Sequence, residues 1–332
     1  MSLLWVEFGL EEYGSSNGAF MISRLLKNGL SLNGFLLGSV VYLAAQMNPH
    51  GPALSAPRAA ENPSASGEIV LQQDVEYGVQ GGEKLLLDIY QPAESGAGRR
   101  PAVVMIHGGS WSSFDKSTMR GMGNFLARSG FVAVSVDYRL FHGSENRWPA
   151  QLDDVQRSVR WLRANAAKYN IDANRIGAFG HSSGAQLAAL LGMEDTRDNS
   201  DPTLAKYSSR VQAVVDVSGP SDFLTNHDAD GDAFLTSFFG GDFTKLAEVW
   251  RGASPVYHVD KSNAPFLIVH GTKDQEVSIA QAQELYDKLH AAKVPVTLIK
   301  LDDVHTFETT EARHRLAGET LIFFNRYLVI NP

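Results

Sequence analysis

A handful of short, unbroken apolar runs bounded by glycine and polar residues constrains this chain more than anything else in its sequence. PAVVMIHGG (101–109), FVAVSVDYRL, RIGAFGHS, VQAVVDVSG, PFLIVHG and VTLIKL are too short for helices and too uniformly apolar for strands with one wet face. Runs of this kind are strands buried on both sides. Between them lie stretches with apolar residues at helical spacing, such as TMRGMGNFLARSG, AQLDDVQRSVRWLRANAAKYN, SIAQAQELYDKLHAA and EARHRLAGETLIFFNRYL. Strand and helix in alternation predict an α/β fold with a mostly parallel, twisted sheet and helices on both faces. Ahead of this block, EIVLQQDVEYGV and KLLLDIYQP read as two strands joined at Gly81-Gly82. From about 220 to 255 the alternation lapses, which predicts a small loop-rich insertion. Reactive groups in such sheets collect where strands end at their carboxyl side.

One of those strand ends, GAFGHSSGAQLAALLG, carries two serines and a histidine between glycines. G-x-S-x-G fits in one frame only, with Gly180, Ser182 and Gly184. Placing Ser183 at the centre would need a glycine at 181, where His181 stands. A serine on a sharp strand-to-helix turn requires small residues two before and two after it. The helix that follows brings the positive end of its dipole to the reacting oxygen. Ser182 is therefore the candidate nucleophile, and Ser183 offers a backbone N–H to a developing oxyanion. A serine hydroxyl needs a general base and an orienting acid, in the chain order serine, acid, histidine. Of the downstream histidines, His227, His258, His270, His290, His305 and His314, His305 follows the strand VTLIKLDD and is the candidate base. Asp274, four residues past the strand ending at His270, is the candidate acid, with Asp302 and Asp303 as rivals. His181 reads as a packing or pocket-lining residue. The glycines of IHGGSW let backbone amides turn toward the same place.

Taken together, HGGSW, VDYRL, WPAQLDDV, GHSSGAQLAALLG and HGTKDQEV resemble the alpha/beta-hydrolase superfamily, in its esterase/lipase-like branch with an HGG oxyanion loop. Within that branch the chain is similar to bacterial carbohydrate and feruloyl esterases, to hormone-sensitive-lipase-like esterases and to kynurenine-formamidase-like enzymes. The likeness runs from about Val75 to Tyr327. It implies Ser182, Asp274 and His305 as the catalytic triad. It also implies Gly109, Ser110 and Ser183 as oxyanion donors, with His107, Gly108 and Trp111 forming the loop. DYRL and Asp154 take structural roles in this picture. Two departures stand out: Ser110 occupies the place of a third glycine, and DDVHTF lacks a glycine before the histidine. The implied activity is hydrolysis of short or medium acyl esters, or of acetyl and feruloyl esters on sugars, without cofactor or metal. Amide hydrolysis of the arylformamidase or peptidase kind, and a non-catalytic binding role, are the alternatives. Phe223, Phe234, Phe238 and Phe239, in the insertion, are candidates for lining a substrate pocket together with His181.

Composition narrows the rest. A net charge of −8 and a pI near 5.7, without a basic run, argue against nucleic acid as partner. The absence of cysteine excludes disulfides, thiolate metal sites and a cysteine nucleophile. Residues 1–66 read as a leader and linker ahead of a catalytic domain at 67–332. From Met21, Arg24 and Lys27 precede an apolar stretch of about a dozen residues and then small residues. This is the layout of a secretory signal peptide, too short for a spanning helix of about 20 residues, and it predicts export without a stable membrane anchor. NHDADGD (226–232) mimics the start of a calcium loop, but Ser237 stands where the bidentate glutamate belongs, so it reads as a solvated acidic segment.

Overall fold

A computed structural model describes residues 67–94, 98–225 and 229–330. The segment read as a secretory leader and linker, residues 1–66, lies outside the described residues. Strands β1 (Ile69–Gln80) and β2 (Glu83–Pro92) form a hairpin closed by Gly81 and Gly82, both at positive φ. Next come β3 (Arg100–Ile106), α1 (Arg120–Arg128), β4 (Val132–Val136), α2 (Ala150–Ala164), β5 (Ile171–His181) and α3 (Ser183–Met193). The chain continues through β6 (Ala213–Val217), α4 (Ala229–Phe239), α5 (Ala247–Ala253), β7 (Phe266–Gly271), α6 (Ile279–Ala291), β8 (Val296–Leu301) and α7 (Thr310–Phe324). The sheet runs β1-β2-β4-β3-β5-β6-β7-β8, antiparallel across β1, β2 and β4 and parallel from β4 to β8.

The apolar runs do what their composition demands. Along β3, Ala102, Val104 and Ile106 join one core and Val103 and Met105 the other. Strand β7 divides the same way, Phe266 and Ile268 against Leu267 and Val269. One core is roofed by α2, α3 and α6, through residues such as Leu152, Leu187 and Leu285. The other is roofed by α1 and α7, through Leu126, Phe323 and Phe324. Helix α3 is buried at every residue, which is why its sequence is apolar or small all round.

The insertion is more ordered than its sequence suggests: α4 and α5 occupy much of the segment read as loop-rich. The acidic run is cut by the start of α4 at Ala229, and its residues 226–228 lie outside the described residues. Among the described residues no helix is long and apolar enough to cross a membrane.

Chain direction across the sheet reverses between β3 and β5. From β3 the chain crosses to β4 on one side, and from β5 it proceeds to β6 on the other. Crevices of parallel sheets open at such a reversal, beyond the carboxyl ends of the strands.

Candidate active site

Strand β5 hands over to α3 at Ser182, whose backbone sits at φ 55°, ψ −124°. A left-handed conformation costs a non-glycine residue roughly 1–2 kcal/mol. Close packing holds it there. A Cβ on Gly180 would lie 2.1 Å from the Gly184 carbonyl oxygen, and one on Gly184 would lie 2.2 Å from the Ile106 oxygen. Only glycine fits at either place. The Ser182 N–H donates to Val217 O at 2.8 Å, tying the turn to β6. Ser182 is also the N-cap of α3, where a serine ordinarily turns its hydroxyl back onto the helix. Here the side chain makes no capping bond. Ser278 and Thr309, at the same position of α6 and α7, do cap, accepting from Ala280 N and Ala312 N. Ser182 thus gives up roughly 1 kcal/mol of helix capping and leaves Oγ available.

Asp274 and His305 come together from the loops after β7 and β8. His305 Nδ1 lies 2.7 Å from Asp274 Oδ2, with the Asp274 side chain fully buried and that of His305 nearly so. The other carboxylate oxygen accepts the N–H groups of Glu276 and Val277, both at 2.9 Å. His270 completes the set: its Nε2 is shared between Asp274 Oδ2 at 3.1 Å and Val277 O at 2.9 Å. Burial works against ionisation of Asp274, but the hydrogen bonds from His270, His305 and Val277 prevail and hold its pKa well below the usual carboxylate range. Asp274 is therefore a permanent anion that fixes the Nδ1–H tautomer of His305. The opposite nitrogen, Nε2, is buried and has no hydrogen-bond partner among the described residues. An exposed carboxylate, Glu276, stands 3.7 Å from it.

The rivals are engaged elsewhere. Asp303 spends its carboxylate on Val304 N, Glu308 N and Thr309, shaping the turn that carries His305. Asp302 pairs with Lys273 at 3.0 Å. His258 pairs with Glu194, His290 stacks on Tyr286, and His314 lies within α7. His227 lies outside the described residues.

Beside the elbow, the loop after β3 packs its backbone against Ser182. A Cβ on Gly108 would be 3.1 Å from Ser182 Cβ. Gly109, Ser110 and Trp111 all take positive φ, at 111°, 50° and 57°. The N–H groups of Gly109, Ser110 and Ser183 have no acceptor among the described residues, whereas the Gly109 carbonyl is satisfied by Ser112 N and Ser113 N. The loop is held from behind by the segment after β4: Tyr138 Oη donates to His107 O at 3.0 Å and Phe141 N to Trp111 O at 2.8 Å. That segment is clamped in turn by Asp154, which takes Arg139 Nε and Nη2 and the Arg139 N–H. The His107 ring stacks on Tyr138, and its Nδ1 bonds Gly108 O at 2.7 Å. Burial lowers its pKa and keeps it neutral.

The aromatic residues of the insertion are placed differently from the expectation that they line a pocket. Phe223, Phe238 and Phe239 are 5%, 0% and 4% exposed and belong to the core, with Phe234 partly buried against it. Phe238 stacks on Trp111 at 4.9 Å and meets Phe141 edge-on at 5.4 Å. Trp111 in turn donates to Gln186 Oε1 at 3.1 Å. The physical reason is that α4 has to be seated on the domain, and large rings do this by filling the gap behind the loop after β3. His181 also differs from a simple packing residue: its Nε2 lies 3.1 Å from the backbone oxygen of His305. Neither that contact nor the support of Asp274 by His270 carries a signal in the sequence. Both join segments far apart along the chain.

Comparison with known proteins adds a second line. The BD-FAE family model matches residues 87–289. A Mycobacterium tuberculosis protein described as a probable carboxylic ester hydrolase, LipM, is 30% identical over 263 residues, covering 77% of this chain and 60% of LipM. The chain spans about three fifths of the length of the curated relatives it matches. Among solved structures, a truncated carbohydrate esterase from gut microbiota is 28% identical with a TM-score of 0.67, covering 81% of this chain and 98% of that one. A thermophilic esterase of Thermogutta terrifontis, solved with propionate bound, is 25% identical with a TM-score of 0.66, covering 80% and 97%.

Proposed function

The chain belongs to the BD-FAE family and has the alpha/beta-hydrolase fold, and from that premise we propose that it is a serine hydrolase of carboxylic esters. In this reading Ser182 Oγ attacks the acyl carbon while His305 Nε2 takes its proton. His305 then returns that proton to the departing alcohol oxygen, leaving an acyl-Ser182 ester. Water, deprotonated by the same nitrogen, attacks the ester, and that proton passes to Ser182 Oγ as the acid is released. Asp274 holds the ring through Nδ1 and stabilises the imidazolium. The amides of Gly109, Ser110 and Ser183 receive the negative charge on the tetrahedral oxygen. Such donors act strongly because they are oriented before the charge appears.

One observation carries the reading: an N-cap serine withholds its hydroxyl from its helix in the same structure where a buried histidine, locked on an ionised aspartate, keeps Nε2 unengaged. As for substrate, we favour short or medium acyl groups and acetyl or feruloyl esters on sugars. Two structural relatives, a carbohydrate esterase and an esterase with bound propionate, support that choice.

The test is Ser182→Ala. Turnover of a short-chain aryl ester should fall by about five orders of magnitude, and labelling by a fluorophosphonate should vanish. Undiminished turnover or labelling in this variant would overturn the mechanism. A panel of acetyl to long-chain esters, methyl ferulate, acetylated xylan and a matched amide then ranks the substrates.

A further inference from the structure

We propose that His181 is a positioning residue: through Nε2–H it holds the backbone carbonyl of His305 and so sets the distance from base to nucleophile. The proposal rests on the reading of Ser182 and His305 as nucleophile and base.

Two donors converge on the His305 carbonyl oxygen. His181 Nε2 is at 3.1 Å and Ser218 Oγ at 3.3 Å, from the ends of β5 and β6. A carbonyl has no proton to give, so the ring nitrogen facing it must carry the hydrogen. The other ring nitrogen, Nδ1, packs over Gly108, where a Cβ would be 3.1 Å away. The His181 and His305 rings lie 5.1 Å apart. Burial, the dominant influence, lowers the pKa of His181 to about 4, so the ring stays neutral, in its Nε2–H form, through the neutral range.

On its far side the turn carrying His305 is fastened by Asp303, which gathers the N–H groups of Val304, Glu308 and Thr309. Asp274 grips the ring at Nδ1. One bond to the ring leaves the residue free to pivot about it, and a second bond at the backbone removes that freedom. His181 supplies such a bond, the shorter of the two to this carbonyl, from the position next to Ser182. The link from nucleophile to base is then one peptide unit, one imidazole and one hydrogen bond. Displacement of a reacting group by about 1 Å can cost on the order of 100-fold in rate.

The experiment compares His181→Phe with His181→Gln in the full chain. Phenylalanine keeps a ring of similar size without a donor, while the glutamine amide can reach the same carbonyl. We expect His181→Phe to lose about 100-fold in kcat with KM within about twofold, and His181→Gln to recover to within about fivefold of the parent. If His181→Phe does not fold, His181→Asn takes its place, because its amide falls short of the carbonyl, and the same loss is expected. Activity within about threefold of the parent in the donor-less variants would overturn the proposal, as would equal losses in the donor-less and Gln variants, which would mean packing alone. Ser182→Ala and His305→Ala are measured alongside. If they retain turnover, the catalytic reading itself fails. If they are inactive while His181→Phe is not, only the role of His181 fails.

Discussion

At the scale of single residues, the site is built from positions that forgo local stability. Ser182 gives up its cap and takes left-handed backbone geometry. Ser110, Trp111 and Ser218 take similar geometry around it. Strain at four neighbouring non-glycine positions persists only where surrounding packing dictates it, and such strain gathers at functional sites. Asp274 illustrates the opposite tactic, a charge buried only because four donors satisfy it. Asp274→Asn cannot accept from both histidines and both amides in the same way and favours the wrong tautomer of His305. It should lower kcat by about 10⁴ with little change in fold, measurable by steady-state kinetics and circular dichroism. Activity close to the parent would argue that Asp274 is structural. Much of this was legible in the sequence. The spacing Gly180-x-Ser182-x-Gly184 singles out one serine because a sharp strand-to-helix turn needs a small residue two places before and two after it. Asp274 was also chosen over Asp302 and Asp303, which lie too close to His305 along the chain to reach its ring easily, and the structure adds the partners that hold each of the three.

At the scale of elements, the insertion shows where pattern reading stops. ADGDAFLTSFF has aspartate and glycine in its first turn and no sustained helical periodicity, yet it forms α4. Tertiary contact overrides propensity here: Phe238 and Phe239 sit on Trp111, Phe141, Trp148 and Trp250. This cluster backs the loop after β3, so its loss should be felt at the candidate site as well. Phe238→Ala empties a fully buried position and should cost about 3–5 kcal/mol of stability, read from denaturant unfolding. A change under about 1 kcal/mol would mean that α4 is seated by something other than these rings. The aromatic residues were visible in the sequence as a group. Whether they line a cleft or fill a core depends on what lies opposite them, and no local pattern states that.

At the scale of the whole molecule, two buried titratable groups near the sheet's carboxyl edge pull stability in opposite directions with pH. His181, with a folded pKa of about 4, takes up its proton later than the unfolded chain does. Its contribution is present above about 6.5 and is lost as pH falls toward 4. Asp216 is buried on β6, accepts Gly219 N–H at 3.0 Å, and is pushed up to about 6 by desolvation. Its contribution is present below about 4 and is lost as pH rises to 6, because the folded protein must then bury a charge. Asp216→Asn should therefore be more stable than the parent at pH 8, by on the order of 3 kcal/mol, with the advantage shrinking toward pH 4. Unfolding midpoints at the two pH values check this, and a difference that does not depend on pH would refute the assignment.

What the sequence determined by itself was the architecture and the candidate nucleophile. Both follow from short-range rules, the two-sided burial of each strand and the steric demands of one turn. Tertiary structure alone brought His270 to Asp274 and His181 to the His305 carbonyl, and seated the insertion's aromatic residues in the core. Each of these depends on loops from different strands arriving at one edge of the sheet. The distance between such loops is set by sheet order and twist, which leave no periodic mark along the chain.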